Sequence, residues 1–449
     1  MITESNTFPG QSYHDLSAEL LQEYRYAYRS LTYSFIPNSE AKTLFDDERI
    51  FKEIDCVSSR DQYLTWLLSD FIPFANKLNL PWLIFNGDRV SVQKISLSNE
   101  EKKSISNRGL IFFLYEAIYF RNLTSSVVEQ RSPEESLREI QDIENFRAQN
   151  FPTSTFTVCV CELGLSRWLR DTKRFPKLKF IDFSALLFHE IRRSGTFPTS
   201  ELPAAAFHKF AISLNFRYDP LREMLVAFLR SHSYFKNCYV SFFHQHHELE
   251  FRKRLPMDPT KLKSWPAISS GLALLQPEIP LVLDVRNPIA VDALSAVIPD
   301  LNRQNNQKDH NLIREKFYSE SFLFAYVESR PYGPKSEISE KTLSPILAMR
   351  PFLPFAAQHF LKEMRKIGLQ TFADFWDESY DDIDDLGERF DCYLSTLNEI
   401  LSRPESELRK MAEKMYPILA HNRKFILQNF LPLRFQCLKE ELKEVNVNI

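Results

Sequence analysis

Glycine is scarce in this chain, nine residues in 449, where an average protein of the same length carries about three times as many. Neither GxGxxG nor GxxxxGK[ST] occurs. Both motifs need several glycines to bring backbone amides against a pyrophosphate, so a dinucleotide oxidoreductase and a P-loop NTPase are disfavoured. Any nucleotide bound here must be held by side chains and helix ends. Cysteine is equally uninformative as a framework: of six, only Cys159 and Cys161 are close, and alternate spacing sets those two on one face of a strand rather than in a CxxC site. Reduced core thiols in a cytoplasmic protein are the expectation. No charged segment followed by an apolar one opens the chain and no apolar run approaches the ~20 residues of a membrane span, which fits the same compartment. The net charge of −3 gives no global basic field, so nucleic acid is not an expected partner.

What is present is apolar content, 44% of a chain longer than one usual domain, enough for two α/β domains with separate cores. The first half reads as helices over 17–29 and 61–77, then strands at PWLIFNGD (81–88), RGLIFFLYEAI (108–118) and TFTVCVCE (155–162), with a helix over 132–148 between the last two. The second and third strands are near-continuous apolar runs ending on Glu116 and Glu162, as parallel strands buried on both faces would be. GTFPTSELPAAA (195–206) is the best linker. Beyond it come a strand over 208–216, a helix over 220–231, strands over 237–243 and 279–285, and helices over 402–415 and 421–444 that close the chain.

The most informative stretch is FLFAYVESRPYGPKSEISEKTLSPILAMRPFLPF (322–355). An apolar strand ends at Glu328-Ser329, a loop with Pro331, Gly333 and Pro334 breaks it, Ser339 caps a short helix, and 350–355 returns as a buried strand. Ligands of open α/β sheets bind outside the carboxyl ends of strands, so Glu328, Glu340 and Lys341 should converge beside a helix start. Arg217 and Arg222 in NFRYDPLRE (215–223) flank another strand-to-helix break, where guanidinium groups can grip phosphate oxygens. Each of these residues also has a plain reading: the arginines as partners of Asp219 or Glu223, Glu340 as helix-start charge, and Lys341 as a solvated side chain.

A strand ending in Glu-Ser, a loop, Ser-Glu-Lys at a helix start and a following Pro-Phe strand resembles the donor-site motif of fucosyltransferase-type glycosyltransferases, roughly FENS…TEK…P. Here Glu328-Ser329 stands without the intervening Asn. SLNFRYDPLRE (213–223) and GLQTFADFWDESYDDIDDLGERF (368–390) are similar to uncharacterised glycosyltransferase-like proteins of bacteria and phages. The resemblance implies a GT-B-like fold, two Rossmann-like domains facing across a cleft with C-terminal helices. Residues 1–200 would form the acceptor-side domain, 201–425 the nucleotide-sugar domain, and 426–449 a helix returning toward the first. It also implies sugar transfer from a nucleotide-sugar donor to a glycan or other hydroxyl acceptor, with no separate cofactor and no metal. Arg217, Arg222, Glu328, Glu340 and Lys341 would bind the donor. Glu116 or Glu162 would be the catalytic base, a carboxylate whose pKa is raised toward neutrality by partial burial.

Metal chemistry has weak support. His244, His246 and His247 lack the spacing of a zincin site, and Asp381, Asp382, Asp384 and Asp385 stand just before a predicted helix, where acidic residues favour the helix start. No GxSxG is present. The competing functional class is a non-catalytic binding protein that keeps the fold, since fold alone does not guarantee activity. Convergence of the five donor-site residues in one pocket discriminates between the two.

Overall fold

Two mostly parallel sheets, each with its own apolar core, make up the computed structural model, which describes residues 34–35, 42–43, 82–85, 97, 99–114, 138–160, 164–182, 207–215, 219–242, 257–278, 281, 320–328, 331 and 338–444. The predicted helices over 17–29 and 61–77, the linker over 195–206, and nearly all of the predicted strand over 279–285 lie outside these residues. From that last strand only Leu281 is described, in an antiparallel bridge to Phe242.

The first sheet is built from β1 (Ser34–Phe35), β2 (Lys42–Thr43), β3 (Trp82–Phe85), β4 (Leu110–Leu114), β5 (Phe156–Val160) and β6 (Leu178–Asp182), in the order β2-β1-β3-β4-β5-β6. From β3 to β6 the strands are parallel and in sequence order. β5, FTVCV, is buried at all five positions, the pattern of a strand covered on both faces. Helices α1 (Asn99–Arg108), α2 (Arg138–Asn150) and α3 (Leu165–Asp171) alternate with these strands. A cluster of Phe112, Phe146, Phe151 and Phe156 fills the core between α2 and the sheet.

The second sheet has four parallel strands, β7 (Lys209–Asn215), β8 (Cys238–Phe242), β9 (Ser321–Val327) and β10 (Phe352–Phe355), in the order β10-β9-β7-β8. The chain runs outward from β7 to β8, then crosses to the other side of β7 for β9 and β10. The direction of winding therefore reverses between β7 and β9, which makes that gap the topological switch point. Helix α4 (Pro220–Arg230) follows β7; Asp219 caps it by accepting a hydrogen bond from the Leu221 amide at 2.9 Å, and Pro220 supplies a preset first turn. α4 is buried along most of its length because α5 (Trp265–Leu275) lies directly on it: a Cβ on Gly271 would stand 1.7 Å from the Ala227 carbonyl oxygen, so only glycine allows this approach.

The remaining elements are α6 (Glu340–Leu347), α7 (Phe360–Lys366), α8 (Leu386–Leu401), α9 (Glu405–Lys424) and α10 (Phe430–Glu444). The two closing helices expected from sequence are a single run, because α9 continues through Pro417 and joins α10 by a π turn over Phe425–Asn429. Asn422 anchors the run, donating to the Gln370 carbonyl at 2.8 Å and accepting from the Gln370 amide at 2.7 Å. α10 then lies against β6 of the first sheet. A second junction joins the halves near the carboxyl ends of β5 and β10. Gly164, at φ +70°, precedes α3, and a Cβ there would meet the Glu363 carboxylate of α7 at 2.9 Å. Arg167 reaches the same carboxylate at 3.3 Å and Lys366 reaches it at 2.6 Å. Among the described residues no helix is long and apolar enough to cross a membrane.

Candidate functional site at the strand reversal

At the carboxyl ends of β7 and β9 two helix starts approach each other, that of α4 and that of α6. Glu328, the residue after β9, is completely buried. Its Oε1 accepts from the Ser339 amide at 2.9 Å and from the Thr342 hydroxyl at 3.1 Å, and its Oε2 accepts from the Ser339 hydroxyl at 2.6 Å. The Ser339 hydroxyl oxygen in turn accepts from the Lys341 amide at 3.2 Å, so one serine caps α6 and holds the strand end at once. Tyr326 on β9 closes the network through the Thr342 hydroxyl at 2.5 Å. A carboxylate at a helix start with three donors directed onto it is the arrangement that best offsets the cost of burying the charge.

Arg222, in the first turn of α4, is 4% exposed and extends its guanidinium across the reversal to the Glu328 carbonyl oxygen at 3.5 Å. Lys341 occupies the first turn of α6 with a half-buried side chain. Arg222, Glu328 and the α6 helix start that carries Lys341 are thus brought together. Glu328 lies beneath the surface with its oxygens engaged by Ser339 and Thr342, so its visible work is to fix the helix start. Arg217 lies outside the described residues, and of Glu340 only the backbone, as the first residue of α6, lies within them. Glu116 and Glu162 also lie outside; β4 ends at Leu114 and β5 at Val160, so each glutamate follows the carboxyl end of its strand by two residues.

Two of the four aspartates of the acidic run cap helices. Asp381 accepts from the Leu361 and Lys362 amides, each at 3.0 Å, and so caps α7; Asp385 caps α8 through the Glu388 amide at 2.8 Å; Asp382 meets His359 Nδ1 at 2.9 Å. Burial raises the pKa of Asp381, opposed by those two amides, and raises that of Glu378, which accepts from the Phe372 amide at 2.7 Å and from Arg365 at 2.9 Å. Among the described residues no group of three or more His, Cys, Asp and Glu is arranged to hold a metal ion; His244, His246 and His247 lie outside them.

Three contributors escaped the sequence reading. Thr342 stands three residues after the Ser339 cap, the position at which a polar side chain reciprocates the cap, and that spacing could have flagged it. Tyr326 reads as one more apolar residue of a buried strand. Arg389 of α8 sends Nη2 to the Pro331 carbonyl oxygen at 3.4 Å, beside the same strand end, across 58 residues of sequence that offer no local signal.

No family model and no curated protein matches the chain. Solved structures to which the chain shows a remote similarity include the UDP-forming alpha,alpha-trehalose-phosphate synthase of Burkholderia vietnamiensis, 10% identical over 75% of this chain and 67% of that one with a TM-score of 0.32. The alpha,alpha-trehalose 6-phosphate synthase of Burkholderia multivorans is 9% identical over 85% and 84% at 0.31. The UDP-forming enzyme of Burkholderia xenovorans is 9% identical over 87% and 86% at 0.34. The α/β assignment rests on strand order and register rather than on these superpositions.

Proposed function

We propose that the chain is a glycosyltransferase that moves a sugar from a nucleotide-activated donor to a hydroxyl acceptor, with cationic side chains rather than a metal ion taking up the charge of the leaving diphosphate. The observation that carries this reading is the gathering of Arg222, Glu328, Ser339 and the Lys341 helix start at the reversal of strand order between β7 and β9 among the described strands of the second sheet. The motif resemblance over 322–355 supports it independently of the topology.

In this proposal residues 201–425 bind the donor. Lys341 and the arginines of NFRYDPLRE face the diphosphate, Glu340 meets hydroxyl groups of the donor, and Glu328 holds the α6 start in register. Residues 1–200 present the acceptor, with Glu116 or Glu162 as base, and the helix after 425 returns toward them. The scattered cysteines suit action in the cytoplasm.

A thermal-shift panel of nucleotide sugars and nucleoside diphosphates tests the proposal. A ligand present at about a hundred times its Kd stabilises the native state by roughly 2.7 kcal/mol, which raises the melting temperature by roughly 3–6 °C, the lower figure if the whole chain melts as one unit and the higher if the donor half melts alone. At least one nucleotide sugar and its diphosphate should do so, and the sugar donor should release diphosphate in the presence of acceptor. A panel with no shift contradicts the proposal, and binding with no turnover on any acceptor favours the non-catalytic class.

A further inference from the structure

We infer that His359 is the residue of the second half that meets the transferred sugar, its Nε2 accepting a hydrogen bond from a sugar hydroxyl. His359 stands four residues beyond the end of β10. It shares the sheet edge of Glu328, because the Glu328 amide donates to the Phe355 carbonyl at 2.8 Å and the two strands end level. One helical turn further on, the Glu363 amide donates to the His359 carbonyl at 2.9 Å, and the Glu363 carboxylate is the group that meets Gly164 and Arg167 of the first half. His359 therefore stands where the edge that carries the candidate site reaches the first half. A sugar passing from a diphosphate on one half to an acceptor on the other must be held at such a place.

The backbone of His359 is left-handed, at φ +66° and ψ +17°, a strained conformation for a residue that carries a Cβ. Its surroundings hold it there. The His359 amide donates to the Asp381 carbonyl at 2.7 Å, Gln358 Nε2 donates to the Asp382 carbonyl at 2.8 Å, and Asp381 accepts from the Leu361 and Lys362 amides. None of these bonds uses the imidazole, and α7 is capped by Asp381 rather than by the His359 side chain. The ring has a separate partner: Nδ1 lies 2.9 Å from Asp382 Oδ1. A carboxylate only accepts, so Nδ1 carries the proton and, in the neutral ring, Nε2 is left as an acceptor. Among the described residues Nε2 has no hydrogen-bond partner, and the side chain is 31% exposed. A hydroxyl can donate to such a nitrogen, whereas the oxygens of a diphosphate cannot. The pair thus recognises the sugar and not the leaving group.

This inference rests on the proposed donor function, and the experiment separates the two. The nucleotide sugar that best stabilises wild type and its nucleoside diphosphate are each titrated calorimetrically into wild type, His359→Gly and His359→Asn. Glycine adopts positive φ without strain and leaves the backbone bonds in place, so His359→Gly should melt close to wild type. It should bind the nucleotide sugar roughly tenfold more weakly, the effect of one hydrogen bond, and bind the diphosphate within about twofold of wild type. Asparagine also tolerates this backbone and brings a carboxamide oxygen, so His359→Asn should bind the nucleotide sugar only about threefold more weakly. Unchanged sugar affinity in His359→Gly, an equal or larger loss for the diphosphate, or failure of both variants to fold would each overturn the assignment. A wild type that binds the diphosphate but no nucleotide sugar overturns it as well and leaves the diphosphate site standing. A wild type that binds neither overturns the donor function and this assignment together.

Discussion

Glu328→Ala is expected to lower the stability of the protein by about 3–4 kcal/mol, a loss on the scale of truncating a buried aromatic side chain. The substitution removes the acceptor from the Ser339 amide, the Ser339 hydroxyl and the Thr342 hydroxyl, all within a fully buried cluster. Hydrogen bonds to a charged group contribute about 1.5–3 kcal/mol each, and a buried donor left without an acceptor loses its full desolvation cost. The sum is smaller than three such terms because hydroxyls rotate: Thr342 keeps its contact with Tyr326, whereas the Ser339 amide has no comparable freedom. Glu328→Gln should cost about 1–2 kcal/mol, since one carbonyl oxygen survives while an NH₂ group is turned toward a donor. Urea denaturation midpoints at constant slope measure both. Near-equal stability of wild type and Glu328→Ala would show that the network contributes nothing to the fold.

Glu116→Gln is expected to reduce turnover by about 10²–10⁴ while leaving donor affinity almost unchanged, because a positioned general base contributes on that scale and acts in the transition state. The choice of a first-half residue follows from the donor site: Glu328 is engaged within the protein, so the acceptor hydroxyl needs a proton acceptor presented from elsewhere. The Glu363 junction with Gly164 and Arg167 joins the chain beyond β5 to the helix beyond β10, so the carboxyl ends of the two sheets lie toward each other there. Phe113 of β4 pairs with Cys159 of β5, and Glu116 and Glu162 each follow their paired residue by three positions. Sequence position therefore does not separate them, and the length of the apolar run before Glu116 is what favours it. Steady-state rates of Glu116→Gln and Glu162→Gln decide; wild-type turnover in the first and a loss in the second transfer the role to Glu162.

Local chemistry was legible in the sequence, and long-range chemistry was not. Pro220 announced the start of α4, Ser339 announced the start of α6, and apolar runs announced β4, β5 and β9, because each signal is contained within a few residues. The same local reading took the acidic run as charge at the start of the helix from Leu386, which is how Asp385 acts; Asp381 instead caps α7, twenty residues earlier in the chain, a pairing with no local signal. By contrast α1, with the sequence NEEKKSISNR, has little apolar periodicity and is fixed by the contact its Ile105 makes with the first core. The separation expected between residues 415 and 421 is absent, because α9 accommodates Pro417 within its length. Arg222 was legible as a candidate phosphate ligand or a partner of Asp219 or Glu223, but nothing near it in sequence shows that β9 ends beside it, so its burial and its reach to the Glu328 carbonyl were not. Its burial means that Arg222→Ala would disturb packing as well as binding, so Arg222→Lys is the better probe.

The central claim is that a nucleoside diphosphate is held at the reversal between β7 and β9, and Lys341 tests it most directly because its side chain is half-buried and its replacement leaves the Ser339 cap intact. Calorimetric titration of the diphosphate selected by the panel into wild type and Lys341→Ala should give an affinity loss of about 1.5–3 kcal/mol, the scale of a charge-assisted hydrogen bond. Equal affinities in the two proteins would contradict the account.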